Sequence, residues 1–218
     1  MDAAWWFRCY RATCSLFLRA TGSTVATLPA VAPTSRPYTA PTLPLDPFCY
    51  WYDKLSQYER SSGYFSAAAE DGNVMVTTCR SLTGARLGVQ TRDPQKVIRT
   101  YPETPAAVYF TARVSRNLHT LFIVEDARSA VRIEQCNGDA IALLGTTLFE
   151  SVREDIAREA PECIMIWLDP GAEEAAARLA EKLRLIAPTS IWSSRRDPKD
   201  CLVEEIKRIV DAVYSYGT

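Results

Sequence analysis

Two apolar runs, each followed at once by a carboxylate, constrain this chain more than any other feature. Leu121-Phe122-Ile123-Val124 leads into Glu125-Asp126, and Cys163-Ile164-Met165-Ile166-Trp167-Leu168 leads into Asp169-Pro170-Gly171. An unbroken apolar run of this length reads as a strand covered on both faces, as in a parallel sheet. In open parallel sheets the ligand site lies beyond the carboxyl ends of the strands. Glu125 and Asp169 project from such ends. Two acids at adjacent strand ends, with few compensating charges in the loops, can hold a hard cation such as magnesium.

The sequence around these runs alternates regularly. Strands are expected at Leu121–Val124, Ala140–Leu144, Cys163–Leu168 and Ser190–Ser193. Helices are expected at Ala127–Cys136, Leu148–Glu159, Ala172–Ile186 and Leu202–Tyr214. Ala176, Leu179, Ala180, Leu183 and Ile186 recur at helical spacing, as do Val203, Ile206, Ile209, Val210 and Val213. Alternating strand and helix gives a parallel sheet with right-handed crossovers. Each strand end then carries a polar loop: Glu125-Asp126, Gly145-Thr146-Thr147, Asp169-Pro170-Gly171, and Arg196-Asp197-Pro198-Lys199-Asp200. Glu125, Asp169 and Asp197 converge on one rim. A single acid at such a junction is usually a helix cap or a first-turn dipole partner; Asp200 reads as a cap, and Asp126 and Glu173 as exposed first-turn residues. Three acids on one rim repel one another and raise their own pKa values unless a cation is near.

The amino-terminal half differs. After Asp2 no acid occurs until Asp46, and proline recurs from Pro29 to Pro47, which reads as an extended linker. The stretch from Trp5 to Cys14 is open to three readings: a targeting peptide, half of a zinc ribbon, or a short strand or helix that docks its tryptophans. Cys9 and Cys14 supply two of the four ligands that a structural zinc site needs, with no second pair nearby, so zinc is not expected. From Pro47 to Phe110 a small α+β unit is expected. It has a short helix over Phe48–Tyr58, strands at Asn73–Arg80 and Ala85–Thr91, and a third near Ala106–Thr111. Arg80, Arg86, Arg92, Lys96 and Arg99 face Asp93 alone in that interval, and Arg113 and Arg116 follow. A solvated sheet face and a ridge for phosphates account for this equally well.

Seven scattered cysteines, an odd count without regular spacing, argue for a reducing compartment rather than a disulfide framework. Cys79, Cys136 and Cys163 read as small core residues. A net charge of -1 does not by itself point to nucleic acid, and no apolar run approaches a membrane span. No glycine-rich phosphate loop of a helicase motor is present.

Val124-Glu125-Asp126 with Ser129-Ala130, then Leu143-Leu144-Gly145-Thr146-Thr147, then Trp167-Leu168-Asp169-Pro170-Gly171, then Arg196-Asp197-Pro198-Lys199 resemble the successive motifs of a Toprim domain. The likeness is to the Toprim domains of tailed-phage primases and covers about Asn117 to Tyr214. The middle unit resembles, in layout, the basic subdomain that precedes Toprim in primase catalytic cores. The implied fold is α/β: a Toprim-like parallel sheet flanked by helices over 117–218, preceded by a small α+β subdomain with an antiparallel sheet over 47–116 and by the segment 1–46.

The resemblance implies a DNA primase that makes short RNA primers on a single-stranded template by magnesium- or manganese-dependent nucleotidyl transfer. Glu125 would match the invariant glutamate, acting in acid/base chemistry or metal binding. Asp169 would be the first acid of an Asp-x-Asp motif and Asp197 the later acid. The second acid of that motif falls on Gly171, a departure from the family. Cys9 and Cys14 would be the remnant of a zinc module. Arg80, Arg86, Arg92, Lys96, Arg99 and Lys199 would meet template or nucleotide phosphates. The partners implied are template DNA, nucleoside triphosphates and a replicative helicase, with no membrane, in the cytoplasm of a bacterial host. A degenerate Toprim module that binds without catalysis, or a Toprim nuclease, are the alternatives.

Overall fold

The computed structural model describes residues 5–8, 17–20, 38–104, 107–112 and 118–215, in two compact units, Met1–Thr34 and Ser35–Thr218. In the first, β1 (Trp5–Arg8) pairs antiparallel with β2 (Phe17–Ala20), Trp5 opposite Ala20 and Arg8 opposite Phe17. Cys9 and Cys14, the stretch from Pro29 to Pro37, and Arg113 and Arg116 lie outside the described residues.

The second unit carries two five-stranded sheets. One is antiparallel throughout, in the order β3 (Thr42–Leu43), β4 (Phe65–Ala68), β5 (Met75–Arg80), β6 (Arg86–Arg92) and β7 (Ile98–Pro102). Before β4 the chain makes a 3-10 turn at Tyr52–Lys54 and then α1 (Gln57–Ser61). The expected helix over Phe48–Tyr58 is therefore displaced toward its end. Ser56 explains the displacement: its hydroxyl accepts from Glu59 N–H while the Glu59 carboxylate accepts from Ser56 N–H, a capping box that fixes where the helix starts. The proline-rich stretch also contributes more than a linker. Thr42-Leu43, between Pro41 and Pro44, forms the edge strand β3, where a missing N–H costs little.

The other sheet has the order β12-β11-β9-β10-β8. Its elements run β8 (Phe110–Thr111), β9 (Thr120–Val124), α2 (Ala127–Gln135), β10 (Asp139–Ala142), α3 (Glu150–Glu159), β11 (Cys163–Ile166), α4 (Glu173–Leu183), β12 (Thr189–Ile191) and α5 (Val203–Ser215). β9, β10, β11 and β12 pair in parallel. β8, expected in the antiparallel unit, instead pairs antiparallel with β10 at the edge of this sheet.

Every residue of β9 is buried, as its apolar run requires. Phe122 and Val124 point to one face, against Val131 and Ile133 of α2 and Ile206 and Val210 of α5. Leu121 and Ile123 point to the other, against Val152 and Ile156 of α3 and Leu179 and Leu183 of α4. Burying each such side chain contributes about 1.5–3 kcal/mol. The first of these cores also takes in Trp51, Phe65, Met75 and Cys79, so the two sheets share it. Two polar clasps reinforce the junction. Arg128 at the start of α2 donates to Glu59 at 2.7 Å and to the Lys54 carbonyl at 2.8 Å. The Tyr109 hydroxyl donates to Asp155 and accepts from Leu82 N–H, both at 2.9 Å.

Candidate metal centre

Three strand-to-helix junctions deliver the acids. β9 ends at Val124, and Asp126 then caps α2, its carboxylate accepting from Ser129 N–H at 3.0 Å. β11 continues as extended chain through Trp167, whose N–H reaches the Ile123 carbonyl at 2.9 Å, before Asp169. After β12 the chain turns through Asp197 into the 3-10 turn Pro198–Asp200. Asp200 is part of that turn and lies before α5 begins at Val203, rather than capping the helix. The turn is held in place from both sides. Trp167, fully buried, donates its indole N–H to the Arg196 carbonyl at 3.3 Å, and Arg132 of α2 donates to the Cys201 carbonyl at 3.0 Å.

The result is a cluster in which Asp126, Asp169 and Asp197 each present a carboxylate oxygen within 4.8 Å of the others. Lys199 sits among them. Its ammonium donates to Asp126 Oδ2 at 2.5 Å and to Asp197 Oδ2, and lies 3.8 Å from Asp169 Oδ2. Glu125 stands alongside, half-buried, and its backbone carbonyl accepts from Gly145 N–H at 3.1 Å, which ties the loop after β10 to the same rim.

Withdrawal of water and mutual repulsion set the charges here. Burial raises the Asp169 carboxyl to about 7, the neighbouring Asp197 and Glu125 carboxylates raise it further, and Lys199 opposes them. Burial likewise raises Glu125, with Asp126 and Asp197 adding and Lys199 opposing. Burial alone would lower Lys199, but Asp126, Asp197 and Asp169 outweigh it and hold the ammonium above the usual lysine range. One acceptor is left over: Asp197 Oδ1 is buried without a hydrogen-bond partner. A converging set of hard oxygen donors with a spare acceptor, already gathered round one cation, fits a metal ion. Asp126, Asp169 and Asp197 can hold one.

Of the residues singled out in the sequence, Asp169 and Asp197 meet, with Glu125 beside them and Lys199 between them. Asp126, read as an exposed first-turn residue, is instead a half-buried member of the cluster. Its signal was present as the second of two acids at a strand end, but the cap reading alone accounted for it. At Gly171 the backbone has φ +92°, its N–H donates to the Glu173 carboxylate at 3.0 Å, and no atom lies within 4 Å of where a Cβ would stand.

The basic residues of the antiparallel sheet do not form one ridge. Arg80 and Arg86 are opposite each other at one end of β5 and β6, with Arg86 paired to Glu103 at 2.7 Å. Arg92 lies at the other end of β6, its guanidinium 5.3 Å from the Trp51 ring centre. Lys96 is exposed in the tight turn that follows. Arg99 is opposite Thr91 and so on the reverse face from Arg92.

No protein-family model and no curated protein matches the sequence. Solved structures match in fold. A DNA primase domain from Pseudomonas aeruginosa superposes with TM-score 0.54 at 17% identity, over 80% of this chain and 64% of that one. The primase fragment of the bacteriophage T7 primase-helicase protein superposes with TM-score 0.53 at 15% identity, over 72% of this chain and 71% of that one. A DnaG primase catalytic domain, solved bound to single-stranded DNA, gives TM-score 0.51 at 17% identity, over 71% and 58%. The fold is that of DNA primase catalytic domains. In this primase-like fold the acidic cluster lies where the ligand site of an open parallel sheet is expected, beyond the carboxyl ends of β9 and β11 and the turn after β12. Among the described residues no helix is long and apolar enough to cross a membrane.

Proposed function

We infer that this chain is a phage-type DNA primase, joining ribonucleotides on a single-stranded template. The observation that carries the reading is the meeting of Asp126, Asp169 and Asp197 from three separate junctions around one cation, on a primase-like fold. Asp126, Asp169 and Asp197 would hold magnesium or manganese, and such an ion supplies charge stabilisation on the phosphoryl oxygens during nucleotidyl transfer. Glu125 would accept the proton of the attacking 3′-hydroxyl; in support, it borders the cluster, and burial and the neighbouring Asp126 and Asp197 raise its pKa. Trp167 and Arg132 position the Asp197 turn through its backbone carbonyls. Arg92 and Lys96 are candidates for template phosphates. The replicative helicase implied by the resemblance has a counterpart in the primase-helicase protein whose primase fragment shares this fold.

A second reading has its own observation. Gly171 stands where the family carries an acid, and Lys199 already neutralises part of the cluster, which favours a module that binds nucleic acid without catalysis. Incubation with a single-stranded template, magnesium and labelled ribonucleotides separates the readings. Labelled oligonucleotides that disappear in Glu125→Gln support the primase. Shortened template indicates a nuclease, and retention of template without either product indicates the binding module.

A further inference from the structure

We propose that Lys199 is an exchangeable counter-ion, its ammonium standing in for the divalent cation on Asp126, Asp169 and Asp197 and withdrawing when that cation binds. The inference rests on reading the cluster as a metal centre.

Three observations carry it. First, the oxygens that a metal would need are the ones the lysine uses. The ammonium bonds Asp126 Oδ2 and Asp197 Oδ2 and faces Asp169 Oδ2 at 3.8 Å. A divalent ion binds carboxylate oxygens at about 2.0–2.6 Å, and the cluster oxygens lie within 4.8 Å of one another. Two cations of like charge do not share that space. Second, the lysine does not complete the site. The Asp197 side chain is nine-tenths buried, yet its Oδ1 has no hydrogen-bond partner. A purely structural salt bridge would leave that oxygen permanently unsatisfied at a cost, whereas a metal ion can engage both oxygens of a carboxylate. Third, the lysine can leave without unfolding anything. It shares the turn Pro198–Asp200 with the acid it neutralises, the turn is held by its own backbone bonds, and the side chain is 17% exposed. Rotation about its flexible stem suffices to carry the charge into water. The exchange keeps repulsion among the acids compensated throughout, by the ammonium before the metal arrives and by the metal afterwards.

Two measurements on the full chain test this. In the wild type, acetylation of Lys199 read by mass spectrometry should be slow in a chelator and several-fold faster in saturating magnesium. By calorimetry, Lys199→Met, which keeps the stem and removes the charge, should bind manganese at least tenfold more tightly than the wild type, while Lys199→Arg should bind it no more tightly. The proposal is overturned if Lys199 stays protected while the metal binds, or if the methionine variant gains no affinity. Should neither wild type nor variant bind manganese, the metal-centre reading itself falls. If Lys199→Met does not fold, acetylation of the wild type decides alone.

Discussion

A carboxylate becomes a better base when water is withdrawn from it and other negative charges crowd it. Glu125 meets both conditions without being a member of the tight cluster, which is why the primase reading gives it a role apart from Asp126, Asp169 and Asp197. Glu125→Gln keeps the shape and removes the basicity. General-base catalysis contributes about 10²–10⁴-fold, so oligonucleotide synthesis should fall by about that factor while the melting temperature stays within about 2 °C of the wild type, as expected for a substitution that leaves packing alone. Steady-state assay beside calorimetric melting checks both halves. Gly171 makes a different case. Space for a side chain is open there, so any penalty comes from the backbone at φ +92°. Gly171→Ala should cost about 1–2 kcal/mol, the price of placing an L side chain in left-handed conformation, and urea unfolding reads it directly. A neutral or stabilising result would mean that the loop relaxes to negative φ.

At the scale of elements, the parallel sheet was legible and the antiparallel sheet only in part, for physical reasons. β9 and β11 are apolar runs whose both faces are covered, so periodicity and composition agree on them. β4, Phe65-Ser66-Ala67-Ala68, is short and alanine-rich, and β7, Ile98–Pro102, is an edge strand interrupted by Arg99 and ended by Pro102 with no buried residue, so neither shows a buried strand's pattern. β8 is two residues long, and its sheet is chosen by pairing with β10, a non-local contact that local pattern does not encode. The rim acids Asp169 and Asp197 were legible because each follows a strand. Asp126 and the placement of Lys199 were not, because both depend on how the last turn folds back over α2. Local pattern is equally silent on the burial of Glu59, which is 1% exposed, and on its pairing with Arg128 of α2, although the capping box it forms with Ser56 has a local signature. Arg128→Met should destabilise by about 3 kcal/mol, the lower part of the range for breaking a buried pair, since Ser56 N–H still donates to Glu59. Adding Glu59→Gln should recover part of the loss in chemical denaturation; no recovery would show that the arginine acts through packing alone.

For the whole molecule, the shared core decides which face of the antiparallel sheet would border a template if the chain is the proposed primase. Met75, opposite Arg92, packs into that core with Trp51 and Phe65, so the Arg92 face turns toward the parallel sheet. Arg99 points the other way, on the face that carries Val89 and Tyr101. Arg86 is already paired, and it stands about 20 Å along β6 from Arg92, at about 3.3 Å per residue. On the primase reading, a template in contact with the rim would pass Arg92 and Lys96 and miss Arg99. Phosphate contacts release counter-ions, and each one adds about 0.7 to the slope of log affinity against log salt for single strands. Lys96→Gln should thus weaken binding of a labelled oligonucleotide and reduce that slope by about 0.7, independently of sequence. Arg99→Gln should leave slope and affinity unchanged. Fluorescence anisotropy across a salt series measures both, and equal effects from the two variants would place the template on a different path, since no single strand can lie on both faces of the sheet at once.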